Sequence, residues 1–363
     1  MENTAAERGP MALNPATLSG ESQELAEKLN SQVIGQERAI RHIIKAYVPM
    51  TVNLQREGRP LGVFLFMGPT GVGKTETVRA MAKHLLGKRD AITRIDCVEY
   101  DESHTVAKLI GAPPGYLGYN DEPLLSQKKI DQYQTKTAKL NIVLFDEIEK
   151  AHPRVFDSIM TILGDGRYTL GNGTTTDFSN SFIFLTSNLG SHAVRVAKEG
   201  KGIGFSLPDN QREDMDDRVY KMSKEAAKKK FRPEFMNRLD SLIVFRSLSR
   251  DTLRAILKKE LDDLQWRIWS SPWRNFAGLS SSQQLPEGRS ILFTPTVEAK
   301  EFLLDEGTSE IYGARELNRA VDRFMSFPLA SLIASGQIVH GDRVKVDHLK
   351  GGKELIFEKM GKL

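Results

Sequence analysis

Cysteine is nearly missing from this chain: Cys97 is the only one in 363 residues. A single thiol excludes an intramolecular disulfide and any cysteine-cluster metal site, and it predicts a reducing, cytoplasmic setting. Long apolar runs are missing too, and none approaches the ~20 residues that cross a bilayer. The opening Met1-Glu2-Asn3-Thr4 has neither a basic leader nor an apolar stretch, so no secretory signal is expected there. Charge of one sign is scarce: 51 Lys and Arg stand against 47 Asp and Glu, a formal net charge of +4. Nucleic-acid and membrane partners need clustered positive charge. The longest basic cluster, Lys228-Lys229-Lys230, is brief and sits in a helical pattern with Glu225, so neither partner is expected. What remains, 40% hydrophobic and 27% charged, is the composition of a globular protein. The length predicts roughly two domains at about 150 residues each.

Residues 1–20, rich in Ala, Gly, Pro and Ser, read as a loose tail. From Glu21 a helical period begins, with Ile40, Ile43, Ile44 and Tyr47 on one face. Short apolar runs then alternate with amphipathic stretches. Val63–Met67, Ile92–Ile95, Ile142–Phe145 and Phe182–Leu185 predict strands buried on both faces, and Ser241–Phe245 a fifth. Helical patterns between them predict a parallel sheet with crossover helices, an α/β fold. The character changes near Ser247. Asp251 is the expected cap of a helix through Ile256 and Leu261, further helices start near Pro295 and Ala314, and Arg343–Val346 and Glu354–Phe357 alternate. The expected division is therefore a large domain over 21–246 and a smaller, mainly helical one over 247–363. An irregular segment at about 266–290 holds Trp266, Trp269 and Trp273, for which packing into the small domain's core is the default expectation and partner binding the alternative.

The strongest chemical signal is Gly68-Pro69-Thr70-Gly71-Val72-Gly73-Lys74-Thr75, a full G-x-x-x-x-G-K-T between a strand and a helix from Glu76 to Leu86. Its glycines let backbone N–H groups ring phosphates, helped by the partial positive charge of the helix N-terminus. Lys74 is then the β/γ-phosphate ligand, and Thr75 the Mg²⁺ ligand, of an ATP site. The strand Ile142–Phe145 ends in Asp146-Glu147. Asp146 is placed to hold the metal shell and Glu147 to polarise an attacking water, which favours hydrolysis over binding alone. Phe182–Leu185 ends in Thr186-Ser187-Asn188 at the same kind of strand end, where Asn188 can face the γ-phosphate or the water.

These motifs, followed by Phe231-Arg232-Pro233-Glu234-Phe235-Met236-Asn237-Arg238-Leu239-Asp240 and Tyr312-Gly313-Ala314-Arg315, resemble in their order the Clp-type AAA+ unfoldases, most of all the second ATPase ring domain of ClpA, ClpB and ClpC. The resemblance runs from about Gln32 to the C-terminus, apart from the tryptophan segment. It implies a P-loop AAA+ domain with a helical lid, ATP and Mg²⁺ as cofactors, and a homo-oligomeric ring, a hexamer. Val33-Ile34-Gly35-Gln36 is then similar to the segment that packs on adenine, with Val33 and Ile34 as its contact residues, Asn188 to the first sensor and Arg315 to the second. Arg238 is similar to the arginine finger that enters a neighbour's site, where such a group is worth about 10³–10⁵ in rate; the alternative is a surface ion pair.

Ile110–Tyr119 resembles the substrate-gripping pore loop, with Tyr116 and Leu117 at its tip; the alternative is a Pro-Gly turn. An aromatic ring between glycines grips a passing chain by area instead of by a hydrogen-bond code. The continuation Asn120-Asp121-Glu122-Pro123 departs from the family's acidic-glycine pattern. Asp165–Asp177 reads as a hairpin around Asn172-Gly173, by resemblance a second channel loop, with an ordinary surface hairpin as the alternative. Ile203-Gly204-Phe205 is similar to the loop that docks some relatives on a ClpP-like peptidase, with core packing as the competing explanation. The function implied is an ATP-driven unfoldase acting on unfolded or tagged proteins, with a peptidase or adaptor as a further partner. The rivals are an assembly scaffold that does not thread and a nucleic-acid motor. The usual preceding ring and N-terminal substrate domain have no counterpart in this sequence.

Overall fold

The computed structural model describes residues 14, 17–100, 103–115, 119, 121–189, 209–270, 291–308, 313–339 and 341–362. Its strands are β1 (Gly62–Met67), β2 (Thr93–Asp96), β3 (Asn141–Asp146), β4 (Arg167–Thr169), β5 (Thr175–Asp177), β6 (Ser181–Ser187), β7 (Ser241–Val244), β8 (Leu292–Pro295), β9 (Asp342–Asp347) and β10 (Ile356–Lys362). All five strands expected in the large sheet are there, in the order β2-β3-β6-β1-β7, and every neighbouring pair is parallel. Every residue of β1 and β6 is buried, and so is all of β3 except Asp146. This is why those segments read as continuous apolar runs without alternation.

Successive side chains along each strand serve opposite layers. Phe64, Phe66, Leu144, Phe182 and Phe184 face one, where they meet Leu29, Ile40, Ile43, Tyr47 and Met81. Val63, Leu65, Met67, Phe145, Ile183 and Leu185 face the other, against Ile159, Ile162, Leu163, Phe231 and Phe235. Three helices, Gly20–Gln32, Glu37–Thr51 and Lys74–Leu86, supply the first layer, and Pro153–Asp165 with Pro233–Arg238 much of the second. Ser19 caps the first helix through Ser22 N–H. The expected hairpin is β4–β5, turned at Gly173 (φ +84°) with Thr174 N–H on Asn172 Oδ1.

A third cluster joins Leu253, Leu257, Leu261 and Leu264 of the helix Arg250–Ser270 to Leu303, Leu317, Val344 and Val346. The two alternating segments near the C-terminus are β9 and β10, and β8, which was not expected, completes a three-stranded sheet with them. β8 escapes a sequence reading because its four residues run straight into Thr296, the cap of the helix Val297–Gly307.

Two expectations are corrected. Ser249, not Asp251, caps the helix Arg250–Ser270: its Oγ accepts Thr252 N–H at 3.1 Å, while Asp251 pairs with Arg254 one turn on. Nor do Trp266 and Trp269 fill a core. They are 65% and 48% exposed, because Leu257, Leu261 and Leu264 already occupy the inward stripe of that helix. Trp269 keeps its indole N–H on Ile291 O at 3.1 Å. Trp273 lies outside the described residues.

Candidate active site

The carboxyl ends of β1, β3 and β6 lie side by side, and each strand delivers one part of the site. β1 runs into the P-loop, where Gly68, Gly71 and Gly73 take φ of +142°, +76° and +106°. Side chains rarely adopt these values, so glycine here is a backbone requirement. Gly73 caps the helix Lys74–Leu86. Lys74 is buried, and its Nζ donates to Gly68 O at 2.6 Å, Pro69 O at 2.8 Å and Asn188 Oδ1 at 2.9 Å. These partners are neutral oxygens, so the ammonium retains its charge for a further anion. Burial pulls its pKa down to about 8, against the field of Asp146 and Glu149, while Arg315 adds to the lowering.

β3 ends at Asp146, whose carboxylate accepts from the Thr186 hydroxyl at the end of β6 and from Arg94 of β2 at 2.7 Å. Glu147 follows with φ +54°, one of two non-glycine residues at positive φ among those described. Such a conformation costs of order 1–3 kcal/mol and persists only where neighbours enforce it. Here Glu147 N–H is held by Thr186 Oγ1 at 3.1 Å, and the turn carries the chain from the sheet into Ile148–Lys150. Asn188 binds both sides of the site: its amide nitrogen donates to Glu147 Oε1 at 3.1 Å while its oxygen holds Lys74. Cys97 sits buried nearby, its thiol pushed up by burial and by Asp96 and Asp146, which makes it an inert packing residue.

Val33 is buried, and its Cγ1 would lie 3.6 Å from a Cβ placed on Gly73, so the Val33–Ile34 segment borders the P-loop. The second half of the chain reaches the loop as well. Ala314 N–H donates to Gly71 O at 3.1 Å, and a Cβ on Gly313 would stand 2.9 Å from that same oxygen. Arg315 follows directly at the start of the helix Ala314–Val321. Thr75 occupies the first turn of the P-loop helix beside Lys74.

Thus Lys74, Thr75, Asp146, Glu147, Asn188 and Arg315 share one neighbourhood. Arg238 does not. It ends the helix Pro233–Arg238 ahead of Asp240, which pairs with Val63 at the start of β1. The P-loop leaves the other end of that strand, six residues at ~3.3 Å or roughly 20 Å away. The Arg238 guanidinium donates to Met160 O and packs on Gly164, which has no side chain in its way. Tyr116, Leu117, Ile203, Gly204, Phe205 and Tyr312 lie outside the described residues.

Glu149 and Arg94 were not assigned roles from sequence, and Gln36 was expected only as part of the adenine-side segment. Buried Gln36 donates its amide to Val72 O at 3.1 Å and Arg246 O at 3.0 Å and accepts Arg246 N–H at 3.1 Å, tying the P-loop to the connector after β7. Glu149 accepts Asn188 N–H at 2.9 Å. Arg94 stands on the open face of β2, beside Asp146. Glu149 had a legible signal as the third acid after a buried strand; the clamp made by Gln36 had none, because its partners lie 36 and 210 residues away.

The donor set fits a nucleoside triphosphate with Mg²⁺: a positive-φ glycine cradle at a helix N-terminus, a buried ammonium whose hydrogen-bond acceptors among the described residues are neutral oxygens, and a hydroxyl and a carboxylate, Thr75 and Asp146, as the residues that would hold the metal. Fold and site define a P-loop ATPase domain of the AAA+ class. The chain belongs to the family described as AAA domain (Cdc48 subfamily), whose model matches residues 59–242, and residues 279–346 match the C-terminal, D2-small domain of ClpB protein. It is 40% identical over 89% of its length to an ATP-dependent Clp protease ATP-binding subunit ClpA homolog of Cyanidium caldarium, covering 35% of that protein. It is 38% identical over 89% to the chloroplastic chaperone ClpC2 of Arabidopsis thaliana, covering 31%. The chain thus spans about a third of the length of these curated relatives. Among solved structures, the extended S. cerevisiae Hsp104:casein complex superposes with a TM-score of 0.74 at 30% identity, over 94% of this chain and 53% of that one.

Proposed function

We propose that the chain is an ATP-hydrolysing, ring-forming protein remodeller of the Clp type, a hexamer that draws unfolded or tagged polypeptide through a central pore. The observation that carries this reading is the separation of Arg238 from the site it resembles a part of. Lys74, Asp146, Glu147 and Asn188 are assembled within one chain, yet Arg238 stands at the far end of β1. A second copy can bring that guanidinium to the phosphates, and a closed ring repeats the arrangement around every interface. In this reading Lys74 and the P-loop amides orient the β- and γ-phosphates, with Thr75 and Asp146 holding the Mg²⁺. Glu147 takes the proton of the attacking water, Asn188 aligns both, and Arg315 reports nucleotide to the lid.

The polypeptide channel rests on the loop bearing Tyr116 and Leu117. Leu124 and Leu125 N–H groups close its base on Lys108 O and Leu109 O, and Gly171 N–H of the β4–β5 hairpin binds Ile110 O at 2.8 Å. Both loops proposed to line the channel therefore spring from one root. The casein-bound Hsp104 structures suggest the substrate class, unfolded protein. A ClpP-like peptidase docked through Ile203-Gly204-Phe205 is a further element of this proposal. The test is ATPase stimulation by an unfolded protein such as casein, with DNA as control, in the parent and in Tyr116→Ala. Stimulation by casein alone, and its loss with basal turnover intact in the variant, is the expected result. A variant that still processes the client refutes threading and favours the scaffold.

A further inference from the structure

At the amino-terminal edge of the large sheet, the end away from the P-loop, a cavity of about 420 Å³ opens between the helix Glu37–Thr51, the loop after it, and the starts of β1 and β7. Lys45, Arg56, Arg59 and Arg238 line it, and a single carboxylate, Asp240, faces them. That carboxylate is already engaged by Val63 N–H at 2.8 Å. His42, also in the wall, hydrogen-bonds Ser241; burial and then Lys45, Arg38 and Arg41 lower its pKa, which favours the neutral imidazole over a further cation. Among the described residues, the side chains of Lys45, Arg56 and Arg59 make no hydrogen bond or ion pair. A concave site with four cations and one committed anion is built for a polyanion.

Two of the cations are set by one element. Arg238 lies on Met160 and Gly164, and Gly166 (φ +61°), which ends the same helix, packs on the Gly58 carbonyl and within 3.3 Å of the Arg59 Cα, measured from the Cβ position it lacks. Beyond Arg59, Leu61 N–H is fixed to Ser181 O at 3.0 Å. Arg59 is therefore presented from a pinned backbone, half-buried, in the wall of the same cavity as Arg238. The cavity's own P-loop is a strand's length away and cannot supply the anion.

We propose that Arg59 is a second cation acting in trans: with Arg238 it contacts the triphosphate held on the P-loop of a neighbouring copy of this chain. This rests on the ring reading above. In the reaction the water oxygen bonds to the γ-phosphorus as the bond to the β–γ bridging oxygen breaks, ADP leaves with that electron pair, and the water proton passes to Glu147. Arg59 changes no bonds; it balances charge that spreads over the phosphoryl oxygens, as a finger does.

The test mixes full-length chains. Arg59→Ala and Arg238→Ala are each assayed for ATPase alone and in equal mixture with Lys74→Ala, which keeps both arginines but lacks the P-loop lysine, with assembly followed by analytical ultracentrifugation. Arg59→Ala is expected to assemble, to bind a non-hydrolysable ATP analogue, and to turn over at least ~10-fold more slowly. Mixing should restore rate, because its intact P-loops then meet Arg59 from Lys74→Ala neighbours. Parental turnover by assembled Arg59→Ala overturns the proposal. So does a mixture in which Arg238→Ala is complemented and Arg59→Ala is not, which leaves the ring reading standing. Failure of both mixtures removes the ring reading and the proposal together. If the cavity instead takes free nucleotide, Lys74→Ala still binds the analogue and loses it on adding Arg59→Ala, which also refutes a trans role.

Discussion

Single atoms decide much at Gly164. A Cβ there would stand 2.8 Å from the Arg238 Cζ, which is the flexible end of a long side chain, so an added methyl displaces the guanidinium and leaves the helix in place. Alanine is also the better helix former by roughly 0.5–1 kcal/mol. Gly164→Ala should therefore melt at the parental temperature or slightly above it while ATP turnover falls at least ~10-fold, a split that calorimetry and a coupled ATPase assay resolve. A destabilised variant with normal turnover would separate Arg238 from the chemistry. At Glu147 the backbone carries the strain instead. Its φ of +54°, held by Thr186, turns the carboxylate out of the sheet and towards Asn188.

Among elements, the Gln36 side chain pins the connector between β7 and the helix Arg250–Ser270. Gln36 makes three hydrogen bonds across it, all buried or partly buried, joining Val72 of the P-loop to Arg246. Gln36→Ala should cost about 1–3 kcal/mol in urea unfolding and blunt the stabilisation that nucleotide confers on the C-terminal part, read by hydrogen exchange along Arg250–Ser270. Unchanged exchange would mean that Gln36 is packing alone. In the C-terminal sheet, Asp347 ties β9 to the cap Thr296 at 2.9 Å. Lys345, then Thr296 and the His348 N–H, lower its carboxyl from 3.8 to about 2. A carboxylate with a depressed folded-state pKa stabilises above its unfolded value and loses that contribution as it is protonated. The C-terminal part should therefore weaken as pH falls from about 4 to 2, and Asp347→Asn should flatten that dependence in acid unfolding monitored by circular dichroism.

For the whole molecule, the helix Pro153–Asp165 connects two sites. Its start follows Asp146 and Glu147 by a few residues, and its end carries Arg238 on Met160 and Gly164. Thirteen residues at 1.5 Å make a strut of roughly 20 Å. This helix thus links the carboxylates proposed for hydrolysis to the arginine proposed to serve the next subunit. Glu147→Gln should lower kcat by about 10²–10⁴ while retaining nucleotide, and trap the ATP-bound ring in light scattering. A chain that remains monomeric under every nucleotide condition would sink the trans mechanism.

The local patterns determined a good deal by themselves. Five apolar segments too short for helices specified a doubly covered parallel sheet, because burial on both faces leaves no polar alternation. The G-x-x-x-x-G-K-T run and the acids ending β3 marked the candidate nucleotide site, since that chemistry admits few residue types at few spacings. Only the tertiary structure decided which groups meet. The placement of Arg238 away from its own P-loop, the Gln36 clamp and the basic cavity around Arg59 all depend on contacts between residues tens to hundreds of positions apart. Sheet order and helix packing set those contacts, and no local period encodes them.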